Sequence, residues 1–82
     1  MRLDKYLKVS RLVKRRTIAN ELCDAKHVEV NGKTARASYE IKAGDEITIA
    51  AGAHRTRARV LLVTEHATKE SASAMFELLE QT

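Results

Sequence analysis

The dipeptide Asn31-Gly32 restricts the fold of this chain more tightly than any other pair of residues in it. A two-residue hairpin turn needs positive φ at both central positions. Glycine adopts that conformation freely and asparagine tolerates it, so Asn-Gly beside alternating residues is a strong local hairpin signal. On its N-terminal side, His27-Val28-Glu29-Val30 alternates polar with apolar, with His27 opening the strand; on its C-terminal side, Lys33 to Ala37 reads as the returning strand. The middle of the chain is therefore antiparallel sheet, and the question becomes what flanks it.

Upstream the period is helical. Residues 2–9 read as a first helix, with Leu3 and Leu7 four apart on the face that anchors it to a core. Ser10 marks a break, and Arg11 to Arg16 reads as a short helix or a basic loop. Thr17 is the expected N-cap of a second helix running to about Lys26, with Ile18 and Leu22 turned inward and Ala19, Cys23 and Ala25 as small fillers.

These first sixteen residues also carry most of the charge asymmetry. Arg2, Lys5, Lys8, Arg11, Lys14, Arg15 and Arg16 are set against Asp4 alone, a formal +6. The whole chain carries +4, so residues 17–82, with eight basic and ten acidic side chains, sum to −2. Arg2, Lys5, Lys8 and Arg11 recur every three residues, a spacing that lines side chains along one side of a helix. A basic ridge on a rigid element suits a polyanion.

Downstream, Ser38 to Lys42 reads as an irregular crossing with Tyr39 and Ile41 packed inward. Ala43-Gly44-Asp45 is a second turn, Glu46 to Ile49 a strand, and Ala51-Gly52-Ala53 a third turn. Arg55 to Val60 alternates basic with small or apolar residues and continues into Leu61 to Val63. Its three arginines suit either an RNA contact or the charged edge strand that guards a sheet against aggregation. Lys69 to Gln81, with Ala72, Met75, Phe76 and Leu79 at spacings of three and four and Leu78 beside them, predicts an amphipathic helix packed on the sheet. The order is α+β.

Eighty-two residues make one small domain. With 44% apolar and 32% charged residues the chain folds rather than remaining disordered. Aromatics are limited to Tyr6, Tyr39 and Phe76, which argues against a surface that stacks many bases. The one cysteine, Cys23, has no disulfide partner and reads as a core filler. His27, His54 and His66 lie far apart, so no metal or other cofactor is expected. Asp24 and Asp45-Glu46 fit turns and surface better than acid–base catalysis, so no enzyme is expected. The charged N-terminus and the short apolar run Val60 to Val63 point to a cytoplasmic protein with no membrane partner. A sequence pI near 9.5 then favours nucleic acid.

Three separated segments carry a family resemblance. Arg2-Leu3-Asp4-Lys5-Tyr6-Leu7 with Ser10-Arg11 and Lys14-Arg15-Arg16-Thr17 resembles the opening of the alpha-L RNA-binding family, named after ribosomal protein S-four. His27 to Lys33 is similar to the family's V-x-V-N-G-K segment, and Ile41 to Ile47 to its V-K-P-G-D-x-I segment. Two positions depart from the pattern: Ala25-Lys26 stands where the family often has glycine, and Ala43 where it has proline. The resemblance implies an alpha-L core at about residues 1–50, two N-terminal helices on a small antiparallel sheet. The extra strand and C-terminal helix, at about 55–81, would complete a single 1–82 domain.

The opening also resembles a narrower group of small ribosome-associated proteins. These are related to the heat-shock protein of fifteen kilodaltons and include factors of ribosome-associated quality control. That likeness implies binding to large-subunit rRNA and P-site tRNA on a stalled large ribosomal subunit, supporting C-terminal tailing of the nascent chain beside a tailing factor; a monomer is expected. Likeness points to Arg2 and Arg16 in particular, with Lys5, Lys8, Arg11, Lys14 and Arg15 around them and Lys33 and Arg36 as secondary contacts. Two other readings use the same residues: a general heat-shock or assembly factor, and an accessory subunit that brings a partner protein to RNA through the last helix. If about six phosphates are neutralised, log K for RNA falls against log salt with a slope of roughly −4 to −5. Titrations at several salt concentrations check this; a slope near zero contradicts it.

Overall fold

The computed structural model describes residues 1–82. Two helices, α1 (Leu3–Val9) and α2 (Arg16–Asp24), precede four strands, β1 (Val28–Val30), β2 (Lys33–Thr34), β3 (Glu46–Ala51) and β4 (His54–Val60). A one-turn helix α3 (Lys69–Ala72) and a last strand β5 (Phe76–Gln81) complete the chain. All five strands form one antiparallel sheet in the order β2-β1-β3-β4-β5. One face of that sheet meets the helices: Val28, Val30, Ile47, Ile49 and Val60 share one buried cluster with Leu3, Tyr6 and Leu7.

Asn31 and Gly32 both take positive φ, +54° and +84°, and Val30 pairs with Lys33, the geometry of a two-residue hairpin. The Asn31 side chain does more than turn the chain. Its amide donates to Asp45 Oδ1 at 3.1 Å, its carbonyl accepts from the Glu46 N–H at 3.0 Å, and Asp45 Oδ2 accepts from the Lys42 N–H at 2.9 Å. The Asn-Gly and Gly-Asp turns, fourteen residues apart, clasp each other.

Four expectations are corrected. The α2 helix starts at Arg16 with Arg15 as N-cap and no side-chain cap, so Thr17 is not the cap and lies exposed in the first turn. Its inward face is Ala19 and Cys23 with Leu22 partly buried against the core, while Ile18 is 43% exposed and Ala25 is exposed too. Small residues four apart on the buried face let α2 lie close to α1, a demand that outweighs the hydrophobicity of Ile18. Tyr39 points outward because a turn, with its N–H bonded to the Arg36 carbonyl, rotates it away; only Ile41 packs inward.

The largest correction concerns residues 69–81. A helix forms only at Lys69–Ala72, opened by a capping box between Thr68 and Ser71. Ser73 Oγ bonds back to the Glu70 carbonyl at 2.8 Å, competing with helical pairing. The chain then joins the open edge of β4, with Phe76 opposite Val60, Glu77 opposite Arg59 and Glu80 opposite Arg57. Pairing that edge satisfies its backbone groups and matches opposite charges across the strands. The amphipathic docking helix required by the accessory-subunit reading is therefore absent. The β4 strand ends at Val60 rather than Val63, and it is interior rather than an edge, so its arginines are not an edge guard.

The carbonyl of Met75, a fully buried residue, joins the two halves. It accepts from the Tyr6 hydroxyl at 2.7 Å and from the N–H groups of Leu61 and Leu62 at 2.8 and 3.1 Å.

At the end of α2 the N–H of His27 bonds to the Leu22 carbonyl and that of Lys26 to the Cys23 carbonyl, a Schellman motif whose left-handed position is Lys26, at φ +65°. This is the point where the family often has glycine. Replacing Lys26 by Gly removes the left-handed penalty and is expected to raise stability by about 0.5–1 kcal/mol, while Val lowers it. Thermal unfolding of both variants checks this; equal midpoints contradict it.

Candidate nucleic-acid interface

Seven cations within sixteen residues repel one another unless something organises them. That group is Asp4, in the first turn of α1, whose side chain is only 3% exposed. Its Oδ1 accepts from the Lys5 N–H at 2.8 Å and from Arg2 Nε at 3.2 Å. Its Oδ2 accepts from the Asn20 amide at 3.3 Å, Arg2 Nη2 at 3.4 Å and Arg16 Nε at 3.5 Å. One carboxylate thus joins the start of α1, the start of α2 and the middle of α2.

The arginines are held from one side only. Their side chains remain 51% and 49% exposed, and Arg16 uses Nε alone, so both its Nη groups make no hydrogen bond within the protein. Two guanidinium groups against one carboxylate leave a net +1. Burial by itself pushes the Asp4 carboxyl up. The Asn20 amide, the Lys5 N–H and the charges of Arg16 and Arg2 together outweigh it and hold the group below its ordinary value.

The other predicted site residues do not all join this cluster. Lys5 is half-buried and paired with Glu65, and that hydrogen bond, with the charge of Lys5, holds the Glu65 carboxyl below its usual range. Lys8, Arg11 and Lys14 line a separate cleft of about 490 Å³ with Glu65 and His66. The spacing of three stops at Arg11, which lies past the end of α1 with φ +64°, so the expected single ridge is divided. Arg15 is exposed at the start of α2, and Lys8, Arg11, Lys14 and Arg15 form no ion pair within the chain.

Arg36 shares a cleft with Arg2, whereas Lys33 lies beside Tyr39 in another. Arg55 and Arg57 are occupied on the open face of the sheet: Arg57 pairs with Glu46 and Glu80, and Arg55 with Glu80. Burial, helped by Asp4 and Asp24, pushes the Cys23 thiol up to about 11, which keeps it an unreactive core group.

Sequence reasoning passed over Asp4 and Asn20. The available signal was a lone acid inside a run of bases, two residues from Arg2. Because its folded pKa is lowered, Asp4 contributes stability that is fully present above its unfolded value of 3.8 and is lost as pH falls through the folded value. Asp4→Asn is expected to cost about 1–3 kcal/mol at neutral pH and to flatten this acid limb. Urea unfolding across pH 2–7 measures both, and an unchanged acid limb contradicts the assignment.

This architecture has counterparts. The S4 domain family matches residues 1–47. The RQC P-site tRNA stabilizing factor of Listeria innocua is 46% identical over 99% of this chain and 88% of its own length. Those of Streptococcus pneumoniae and Bacillus subtilis are each 43% identical, over 100% and 99% of this chain and 93% and 94% of theirs. Among solved structures, the trimeric Vibrio cholerae Heat Shock Protein 15 superposes with a TM-score of 0.88 at 24% identity, covering 96% of this chain and 81% of that one. The hypothetical protein HP1423 superposes at 0.82 with 30% identity over 98% of both chains. With the two helices, the clasped turns and the arginine-bearing opening all in place, the chain belongs to the S4 domain family, in the group whose members are named RQC P-site tRNA stabilizing factor.

Proposed function

We propose that this chain is a non-enzymatic, cytoplasmic RNA-binding factor that acts on stalled large ribosomal subunits. On this reading it binds large-subunit rRNA and P-site tRNA as a monomer and supports C-terminal tailing of the nascent chain by a separate tailing factor. The observation that carries it is the pair of half-exposed guanidinium groups, Arg2 and Arg16, fixed from beneath by buried Asp4. The names of the Listeria, Streptococcus and Bacillus relatives support the P-site tRNA and association with the ribosome.

The physical logic is preorganisation. A free arginine loses rotamer freedom when it grips a phosphate; one already hydrogen-bonded through Nε has lost much of it and still presents its outer nitrogens. Lys8, Arg11, Lys14 and Arg15 add longer-range attraction and phosphate contacts, with Lys5, Lys33 and Arg36 as further contacts. Such contacts set position rather than sequence, which suits structured RNA recognised by shape.

Arg2→Glu and Arg16→Glu are each expected to weaken co-sedimentation with large subunits roughly ten- to hundredfold, the loss of about 1.5–3 kcal/mol. Arg59→Gln, on the opposite face, leaves it unchanged. Circular dichroism is the control that all three variants are folded. Wild-type sedimentation of both charge-reversed variants contradicts the proposal.

A further inference from the structure

Between α2 and the segment following β2 lies a cleft of about 500 Å³, within the usual size range for a small ligand. Its floor is small and apolar: Cys23, Ala35 and Ala37, all buried. Three cations, Arg2, Lys26 and Arg36, line it together with one carboxylate, Asp24. Asp24, Lys26 and Arg36 form no ion pair with any residue of the chain, although they share this space.

We propose that this cleft takes one unpaired RNA nucleotide carrying guanine, with its base on the apolar floor, its Watson–Crick edge against Asp24 and its flanking phosphates on Arg2, Arg36 and Lys26. The proposal rests on the RNA-binding reading above and adds a recognition element to it. A phosphate alone does not explain the carboxylate, which repels anions. A carboxylate accepts two parallel hydrogen bonds from the N1–H and amino group of guanine, whereas uracil offers no amino group. Small side chains leave room for a base, and the apolar floor of Cys23, Ala35 and Ala37 takes the place of an aromatic platform.

Lys26 points the same way. It occupies a left-handed backbone position that favours glycine, and a penalty kept at a cleft wall is accounted for when the side chain is used. Arg2 belongs both to this cleft and to the Asp4 cluster, so a strand leaving the cleft continues onto Arg16.

The test uses the full chain and three RNA hairpins that differ only in one bulged nucleotide: guanosine, uridine or none. Fluorescence anisotropy is expected to give at least tenfold tighter binding to the guanosine bulge. Asp24→Asn, at an exposed position, should erase the difference between guanosine and uridine, and Lys26→Gly should weaken the bulged hairpins while leaving the unbulged one unchanged. Equal affinity of the wild-type chain for all three hairpins overturns the cleft proposal and leaves general RNA binding standing. Failure to bind any of them at low salt overturns both.

Discussion

A single buried carboxylate governs this structure. Taking Asp4 out of water costs several kcal/mol unless donors surround it, and five donor groups from four residues do so. Those donors come from both helices, so the requirement to satisfy Asp4 also sets how α2 approaches α1. Ala19 and Cys23 make that approach sterically possible, and the Asn20 amide and Arg16 Nε complete it. The approach of α2 to α1 and the fixing of the arginine pair therefore answer one electrostatic demand.

The rest of the chain keeps the other cations from competing. On the open face of the sheet, Arg55, Arg57 and Arg59 lie between the carboxylates of Glu46 on one side and Glu77 and Glu80 on the other. Their charge is balanced within the strands, and the uncompensated charge stays on the helical side and the loop between α1 and α2. Strand β5 is what supplies two of those carboxylates, so the terminal segment shapes the electrostatics as well as closing the sheet. Tyr6, reaching from α1 to the Met75 carbonyl, couples that segment mechanically to the helix carrying Asp4.

Much of this was legible in the residues. The hairpin at Asn31-Gly32, the turn at Gly44-Asp45 and helix α1 follow from local chemistry, because positive φ and a four-residue apolar spacing are satisfied within a few residues. What escaped depends on distant partners. Residues 76–81 carry both a helical spacing and a workable strand pattern, and only the open edge of β4, sixteen or more residues earlier in the chain, decides between them. Ile18 looked more apolar than Ala19, yet the closeness of two helices favours the smaller side chain. Asp4 counted as one unit of charge in the sequence; its role needs Arg16 and Asn20, twelve and sixteen residues away, to be seen beside it.

On the proposed reading, RNA meets the chain through arginines fixed by Asp4. An electron cryomicroscopy map of the chain on a large subunit carrying peptidyl-tRNA tests it most directly. The expected result is rRNA or tRNA phosphates against Arg2 Nη1 and the two Nη groups of Arg16, with Asp4 still bonded beneath them. RNA seated on the open sheet face at Arg55, Arg57 and Arg59, with the helical face turned to solvent, would contradict it.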